Sequence, residues 1–210
     1  MEFIKSLADF FIHLDHHIGA LTAAYGAWTY LIIFLIIFCE TGLVVTPFLP
    51  GDSLLFVLGV LSAQGTLHVE WLLGLLSAAA ILGNVVNYSV GRILAPKVFN
   101  NERIPFLKQE YLNRTRDFYA KYGAKTIIIT RFVPIIRTFA PFLAGVGSMS
   151  YGKFMTYNAV GGILWVFVGV LSGVFFGNLP FVQKNFSAVI LMIVGISLIP
   201  AVIEYLKHRE

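Results

Sequence analysis

Residues 126–152, TIIITRFVPIIRTFAPFLAGVGSMSYG, decide how this chain folds. The stretch is as apolar as a membrane span, but it carries Arg131 and Arg137 and is interrupted by Pro134 and Pro141. Because a proline removes a backbone donor and kinks or ends a helix, a continuous span is not expected here. Irregular backbone at membrane depth is tolerated only where it is buried in protein or lines a wet cavity. The stretch therefore predicts a re-entrant hairpin or a broken helix.

A second apolar stretch, residues 41–67, is interrupted in the same manner, and its PFLPG at 47–51 resembles PFLAG at 141–145. Each stretch precedes an apolar run with small or polar residues at four-residue spacing. These residues are Gly83, Asn87 and Gly91 in the first run and Gly169, Gly173 and Gly177 in the second. Two opposed hairpins, each with its span, predict the inverted repeat that is common in secondary transporters. The predicted hinges of the hairpins are Pro47, Pro50, Gly51, Pro134, Pro141 and Gly145.

The composition places the chain in a membrane. Of its 210 residues, 58% are hydrophobic and 12% are charged, and a soluble globule cannot bury so much apolar surface. An all-α integral membrane protein is therefore predicted. Four uncharged runs are long enough to span a bilayer core, which needs about 20 helical residues. They cover residues 19–39, 71–91, 154–183 and 185–203.

The distribution of charge predicts the topology. Segment 92–125 carries eight Lys or Arg and three acids, which is typical of a cytoplasmic linker; its second half is predicted to be an amphipathic surface helix. Residues 1–18 have apolar side chains at helical spacing but also acids that a signal peptide lacks, so they predict an interfacial helix. Both termini, including the tail 207–210, are expected in the cytoplasm, and residues 19–206 are predicted to form one transmembrane domain.

Four ionisable side chains lie within the apolar stretches: Glu40, Asp52, Arg131 and Arg137. Each costs roughly 2.5–3.5 kcal/mol to insert, so they must pair with one another or face water. Arginine grips phosphate and stays charged, which makes Arg131 and Arg137 candidates for binding an anion. Glu40 and Asp52 are candidates for proton exchange. The alternatives are structural salt bridges for all four and, for Asp52, the capping of a half-helix.

Enzyme chemistry finds little support in the sequence. Residues 147–153 resemble a phosphate-binding P-loop, but Phe154 stands where Ser or Thr is needed. The five histidines lie outside the predicted spans, which argues against a buried zinc site, so no metal and no cofactor are expected.

The basic linker is expected to bind anionic lipid headgroups in preference to nucleic acid. The glycine stripe of the third run indicates close helix packing, within the chain or in a homodimer.

Three blocks of sequence resemble the DedA family of bacterial inner-membrane proteins. They are Cys39-Glu40-Thr41 with PFLPGDSL at 47–54, Gly83-Asn84-x3-Tyr88-x2-Gly91-Arg92, and RFVPxxRTxxPxxAG at 131–145. The resemblance implies two opposed re-entrant hairpins in a transporter-like bundle, functional roles for the four ionisable residues and movement of lipids. Undecaprenyl phosphate is the best-defined substrate within the family. Asn84 departs from the family pattern, in which an acid often follows the glycine.

The leading hypothesis is a lipid transporter of the bacterial plasma membrane. The two arginines would hold the phosphate of a lipid, most simply undecaprenyl phosphate, while the two acids couple transport to protons or sodium. Candidates to line the cavity are Asn84, Asn87 and Tyr88. The alternatives are a phospholipid scramblase or flippase, for example of phosphatidylethanolamine, proton-coupled efflux of cationic drugs, and a scaffold that transports nothing.

Overall fold

The computed structural model describes residues 14–43, 51–99, 123, 125–147 and 149–185, together with residues 188, 189, 192, 193 and 195. Regular structure throughout these residues is α-helical, as predicted. The helices are α1 Leu14–Tyr25, α2 Trp28–Gly42, α3 Gly51–Ala63, α4 Val69–Phe99, α5 Thr126–Thr130, α6 Pro134–Val146, α7 Tyr151–Phe176 and α8 Pro180–Lys184. Some predictions lie outside this part of the chain: most of the helix at 1–18, the hinges Pro47 and Pro50, most of the linker 92–125, much of the run 185–203 and the tail.

Two of the described helices are long and apolar enough to cross a membrane. They are residues Val69–Ala95 of α4, with 27 residues, and the whole of α7, with 26. Only 39% and 33% of their most apolar windows is buried inside the protein, which leaves most of that surface for lipid. Helices α3 and α6 have 13 residues each. At 1.5 Å per residue, each of them is too short to cross a hydrocarbon core of roughly 30 Å.

The run 19–39, predicted as one span, is divided into two helices. Helix α1 ends at Tyr25, and α2 begins at Trp28. Between them Gly26 has a φ of 53°, a left-handed conformation that glycine adopts without strain and that commonly ends helices. The prediction of a continuous span here is wrong, because this glycine ends α1 after 12 residues and α2 has only 15.

The stretch 126–152 is broken at its first proline, as expected. Helix α5 ends at Thr130, and α6 begins with Pro134 at its first position, where the missing N–H has no partner to lose. The predicted hinges Pro141 and Gly145 lie inside α6, which continues past both of them to Val146. The interruption of the backbone is therefore confined to the three residues before Pro134.

The chain divides into two compact units, the first comprising Met1–Ile36, Phe48–Leu76 and Trp165–Glu210 and the second Ile37–Pro47 and Ser77–Leu164. In the first unit, α3 packs closely against the C-terminal half of α7. A Cβ atom on Gly59 would overlap the carbonyl oxygen of Val170, and one on Gly173 would overlap that of Phe56. Glycines of this kind allow two helix backbones to approach within contact distance.

In the second unit, α6 packs against α4 through the same reciprocal arrangement. A Cβ atom on Gly145 would overlap the carbonyl oxygen of Tyr88, and one on Gly91 would overlap that of Phe142. In both units, each glycine of the pair faces the carbonyl that lies three residues before its partner glycine. Each unit thus contains a short helix in backbone contact with a long one, but not with the span that follows it in the chain. Helix α3 precedes α4 and contacts α7, and α6 precedes α7 and contacts α4.

The packing places this repeat in a different register from the sequence match. The PFLPG and PFLAG segments align Gly51 with Gly145, whereas the reciprocal contacts make Gly59 the counterpart of Gly145. By the same criterion Gly173 is the counterpart of Gly91, whereas the sequence pattern matched Gly91 with Gly177. The five-residue match is therefore wrong as an alignment of these glycines, because Gly51 is not the counterpart of Gly145; residues 47–50 of the match lie outside the described residues.

Candidate functional site

A buried ion pair joins Glu40 to Arg137. Glu40 lies in the last turn of α2, and Arg137 lies in the first turn of α6. Nη2 of Arg137 donates a hydrogen bond to Oε1 of Glu40 at 2.8 Å, and the two side chains are 3% and 2% exposed. The pairing of one acid with one arginine, expected from the cost of burying either alone, is present.

Asn87 of α4 connects the two helices that carry this ion pair. Its Nδ2 donates to the carbonyl oxygen of Thr138 at 2.7 Å and to that of Thr41 at 3.4 Å. These carbonyls belong to the residues directly after Arg137 and Glu40. One buried amide therefore fixes the backbone on both sides of the ion pair, which holds the two charged groups in register.

Arg131 occupies the break between α5 and α6 and is 1% exposed. Its Nη2 donates to the carbonyl oxygen of Ala80 at 3.2 Å, and to the carbonyl oxygen and Oδ1 of Asn158 at 3.3 and 2.5 Å. Gly161 and Gly162 leave room for the guanidinium, since a Cβ on Gly162 would lie 3.2 Å from Nη2. Within the described residues, Nε and Nη1 have no hydrogen-bond acceptor, and no carboxylate pairs with Arg131.

The three buried charges that the structure describes in the second unit do not cancel. Arg131 and Arg137 are close enough for their positive charges to repel, and Glu40 supplies one negative charge. Asn84 and Asn158 add only neutral hydrogen bonds, including one from Nδ2 of Asn84 to Oδ1 of Asn158 at 3.0 Å. Counted over these three side chains, the positive charges exceed the negative by one, and the excess lies in a buried place, where charge is costly. Such a cluster is suited to binding an anion.

Asp52 belongs to the first unit and lies in the first turn of α3, where a carboxylate interacts favourably with the helix dipole. Its Oδ1 accepts a hydrogen bond from Nε1 of Trp165 at 2.7 Å. Trp165 is 3% exposed, so this bond lies in a largely buried place. The structure thus joins Asp52 to an indole, and its role in ion coupling stays a prediction.

The three candidates to line a cavity occupy different surroundings. Tyr88 is a packing residue: its ring stacks on Phe154 with centroids 4.2 Å apart, and its hydroxyl donates to the carbonyl oxygen of Met149 at 2.5 Å. Asn84 and Asn87 are also buried, but the Oδ1 atom of each has no partner among the described residues. These two oxygens are therefore the ones that a water molecule or a ligand can satisfy.

Comparison with known proteins assigns the family. The profile of the VTT domain matches residues 49–175. Protein DedA of Escherichia coli K12 is 51% identical over 212 residues, which cover 100% of this chain and 97% of the relative. The chain belongs to the DedA family. The resemblance indicated by the three sequence blocks is thereby confirmed.

More distant relatives of this DedA-family protein also cover most of its length. An uncharacterized membrane protein of Mycobacterium leprae is 44% identical over 168 residues, which are 80% of this chain and 75% of the relative. Inner membrane protein YqjA of Escherichia coli K12 is 35% identical over 155 residues, or 74% of this chain and 70% of the relative. No solved structure matches the chain significantly.

Sequence reasoning missed Asn158 and Trp165, whose side chains form hydrogen bonds from α7 to predicted site residues of this DedA-family protein. Both lie in the run 154–183, which the apolar pattern marks only as a span. A signal was nevertheless available in the run itself. A buried amide or indole N–H must find a hydrogen-bond partner, so each of these residues points to a polar group on a neighbouring helix.

Trp165 is expected to report the charge of Asp52. Replacing the exposed Trp28 and Trp71 with Phe leaves one tryptophan in the chain. Asp52→Asn should then shift the emission of Trp165, because a charge-assisted hydrogen bond becomes a neutral one. Emission spectra in detergent at one pH compare the two proteins. Identical spectra with Asp and with Asn at position 52 would exclude the contact as an influence on the indole.

Proposed function

We propose that this DedA-family protein moves a lipid with a phosphate headgroup across the bacterial inner membrane, with undecaprenyl phosphate as the leading candidate. The observation that carries the proposal is the positive excess of the buried cluster formed by Glu40, Arg131 and Arg137. A phosphate cannot enter hydrocarbon without losing its water, at a cost of several kcal/mol or more. Arginine donors replace that water with charge-assisted hydrogen bonds. The relative YqjA is an inner membrane protein of Escherichia coli, which supports the proposed location.

Competition for Arg137 links the lipid to a proton. Oε1 of Glu40 lies 2.8 Å from Nη2 of Arg137, and an incoming phosphate offers the same guanidinium a second anion. Glu40 displaced in this way is a buried carboxylate without its arginine, a state that favours uptake of a proton. In this scheme Glu40 couples headgroup binding to protonation, and Asp52 with Trp165 serves as a second acid in the first unit. Sodium is the alternative coupling ion at the same acids.

The geometry favours an anionic cargo over a cationic drug. Efflux of an organic cation needs an acid that can face the cargo, whereas Glu40 faces Arg137 in a cluster whose net charge is positive. A phosphodiester lipid such as phosphatidylethanolamine also offers a phosphate group to the arginines, so it is tested separately in the assay. Transport without any covalent step is the role we assign, so the chain acts as a carrier and not as an enzyme.

Arg131→Gln is expected to abolish translocation while the protein still folds. The variant removes a buried charge that has no described carboxylate partner, and such removal is often neutral or stabilising, while a Gln amide retains a donor for Asn158. Purified protein is reconstituted into vesicles that contain undecaprenyl phosphate, and an added phosphatase reads the phosphate groups that reach the outer leaflet. Matched vesicles carry a labelled phosphatidylethanolamine, whose outward movement is read by chemical quenching.

Arg131→Lys serves as the control that keeps the charge but loses the planar donor set, and it should retain a reduced rate. An excess of a hydrophobic organic cation should leave the rate unchanged if the cargo is anionic. The proposal is overturned if wild-type protein moves undecaprenyl phosphate no faster than Arg131→Gln of equal thermal stability. A scaffold role predicts that outcome together with no movement in any vesicle.

A further inference from the structure

We infer that Asn158 is a positioning residue that holds Arg131 in place without neutralising it, so that the charge remains available to an exchangeable anion. The inference rests on the proposed function and adds a residue to its site. Among the described residues, the closest polar atom to Arg131 belongs to a neutral amide, Oδ1 of Asn158 at 2.5 Å, and not to a carboxylate.

The amide of Asn158 is fixed on all sides. Its Oδ1 accepts from Nη2 of Arg131 at 2.5 Å and from Nδ2 of Asn84 at 3.0 Å, and its Nδ2 donates to the carbonyl oxygen of Ile81 at 3.0 Å. The residue is 0% exposed. Because two donors meet the oxygen and a carbonyl meets the nitrogen, the amide cannot turn over without losing all three bonds. Its acceptor therefore points permanently at Arg131.

Helix α7 shapes the rest of the space around Arg131. The carbonyl oxygen of Asn158 accepts a second bond from Nη2 at 3.3 Å. One turn further along, Gly161 and Gly162 present bare backbone, since a Cβ on Gly161 would lie 3.1 Å from Cδ of Arg131 and one on Gly162 would lie 3.2 Å from Nη2. The sequence Asn158-x2-Gly161-Gly162 thus forms a slot that fits an arginine and holds one end of its guanidinium.

The neutrality of the amide is the functional feature. An aspartate of nearly the same shape at position 158 would offer Arg131 a permanent ion pair, and the excess positive charge of the cluster would disappear. The amide instead occupies only Nη2 and leaves the charge, together with the donors of Nε and Nη1, without a described partner. These donors and that charge are what an incoming phosphate needs. Asn158 thereby orients the arginine and preserves its affinity for an anion.

Asn158→Asp is expected to fold and to lose transport. The new carboxylate loses the hydrogen bond to the carbonyl oxygen of Ile81 but gains an ion pair with Arg131, so the melting temperature in detergent should stay close to that of the wild type. Translocation of undecaprenyl phosphate in vesicles should fall roughly 10- to 100-fold, by analogy with changes to groups that orient metal ligands. Thermal stabilisation of wild-type protein by added undecaprenyl phosphate should be absent in the variant. A merely structural asparagine would produce neither the retained stability nor the lost lipid response.

Two further variants separate the outcomes. Asn158→Gln keeps a neutral acceptor, and Asn158→Leu has a similar shape but removes it, so the Gln variant should translocate faster than the Leu variant at equal amounts of folded protein. The inference is overturned if Asn158→Asp transports at the wild-type rate, or, where that variant does not fold, if Gln and Leu transport equally. Failure of the proposed function is a different result, in which wild type and Arg131→Gln already show the same rate.

Discussion

Glu40→Gln is expected to lower the free energy of unfolding by about 3–5 kcal/mol, the usual cost of removing one partner from a buried ion pair. Glu40 is 1% exposed, and Arg137 is 3% exposed. Without the carboxylate at 2.8 Å, the guanidinium keeps its charge in a buried place and loses this counter-charge. Arg137→Gln should cost a similar amount, because it leaves the carboxylate in the same position. Unfolding in mixed detergent micelles, followed by far-ultraviolet circular dichroism, measures both variants.

The double variant Glu40→Gln/Arg137→Gln is the decisive control for this prediction. Two neutral amides at these positions can hydrogen-bond to each other and leave no charge behind, so most of the lost stability should return. The coupling energy from the double-mutant cycle then measures the interaction of the pair. If the double variant were as unstable as the sum of the two single variants, the contact between Glu40 and Arg137 would contribute nothing to stability.

The same double variant separates the structural role of Glu40 from its proposed role in coupling. A protein that is stable without the ion pair still carries Arg131, and it can be tested for lipid movement in vesicles with and without a proton gradient. If Glu40 links phosphate binding to proton uptake, the remaining rate should no longer respond to the gradient. A rate that keeps its full response would move the coupling role to another acid, of which Asp52 is the candidate.

The predictions that succeeded concern residues for which the alternative structure costs a large free energy. Pro134 cannot continue a helix that precedes it, so the sequence predicts the helix break beside Arg131. A charge within an apolar stretch is expected to find a counter-charge or water, and Glu40 and Arg137 meet although 97 positions separate them. Arg131 departs from this expectation, because it is buried and its acceptors among the described residues are all neutral. In both cases the alternative structure, a continuous helix through Pro134 or a buried charge without a partner, has a high free energy. Its cost follows from the residue type alone, so no knowledge of the tertiary structure is needed to predict it.

The predictions that failed depend on weak local preferences or on contacts between residues far apart in the chain. Gly26 interrupts a run without any change in hydropathy, and glycine alone does not distinguish a helix interior from a helix end. The register of the repeat follows from which glycines meet a carbonyl in the partner helix, as Gly59 and Gly145 do. Asn158 acquires its role from groups that lie 27 and 74 positions away. The sequence shows where glycine and asparagine residues occur, but the contacts between helices determine which of them have a structural role.

Gly91→Ala and Gly145→Ala are each expected to destabilise the second unit by about 1–3 kcal/mol, the usual cost of overpacking a close contact. The new methyl group would overlap a carbonyl oxygen of the facing helix, that of Phe142 or of Tyr88. A flexible side chain could turn away from such a methyl group, but backbone cannot, so α4 and α6 must separate. Gly59→Ala and Gly173→Ala should have the corresponding effect in the first unit.

Gly74→Ala is the matched control, because Gly74 lies in the same helix as Gly91 and has no atom within 4 Å of the position that a Cβ would take. Alanine is a better helix former than glycine by roughly 1 kcal/mol, so this variant should melt at or above the wild-type temperature. Thermal denaturation in detergent compares the five alanine variants directly. Equal melting temperatures for Gly74→Ala and Gly91→Ala would show that backbone contact does not hold the short helix to the long one. Opposite shifts would identify that contact as what fixes α6, and with it Arg137, in position.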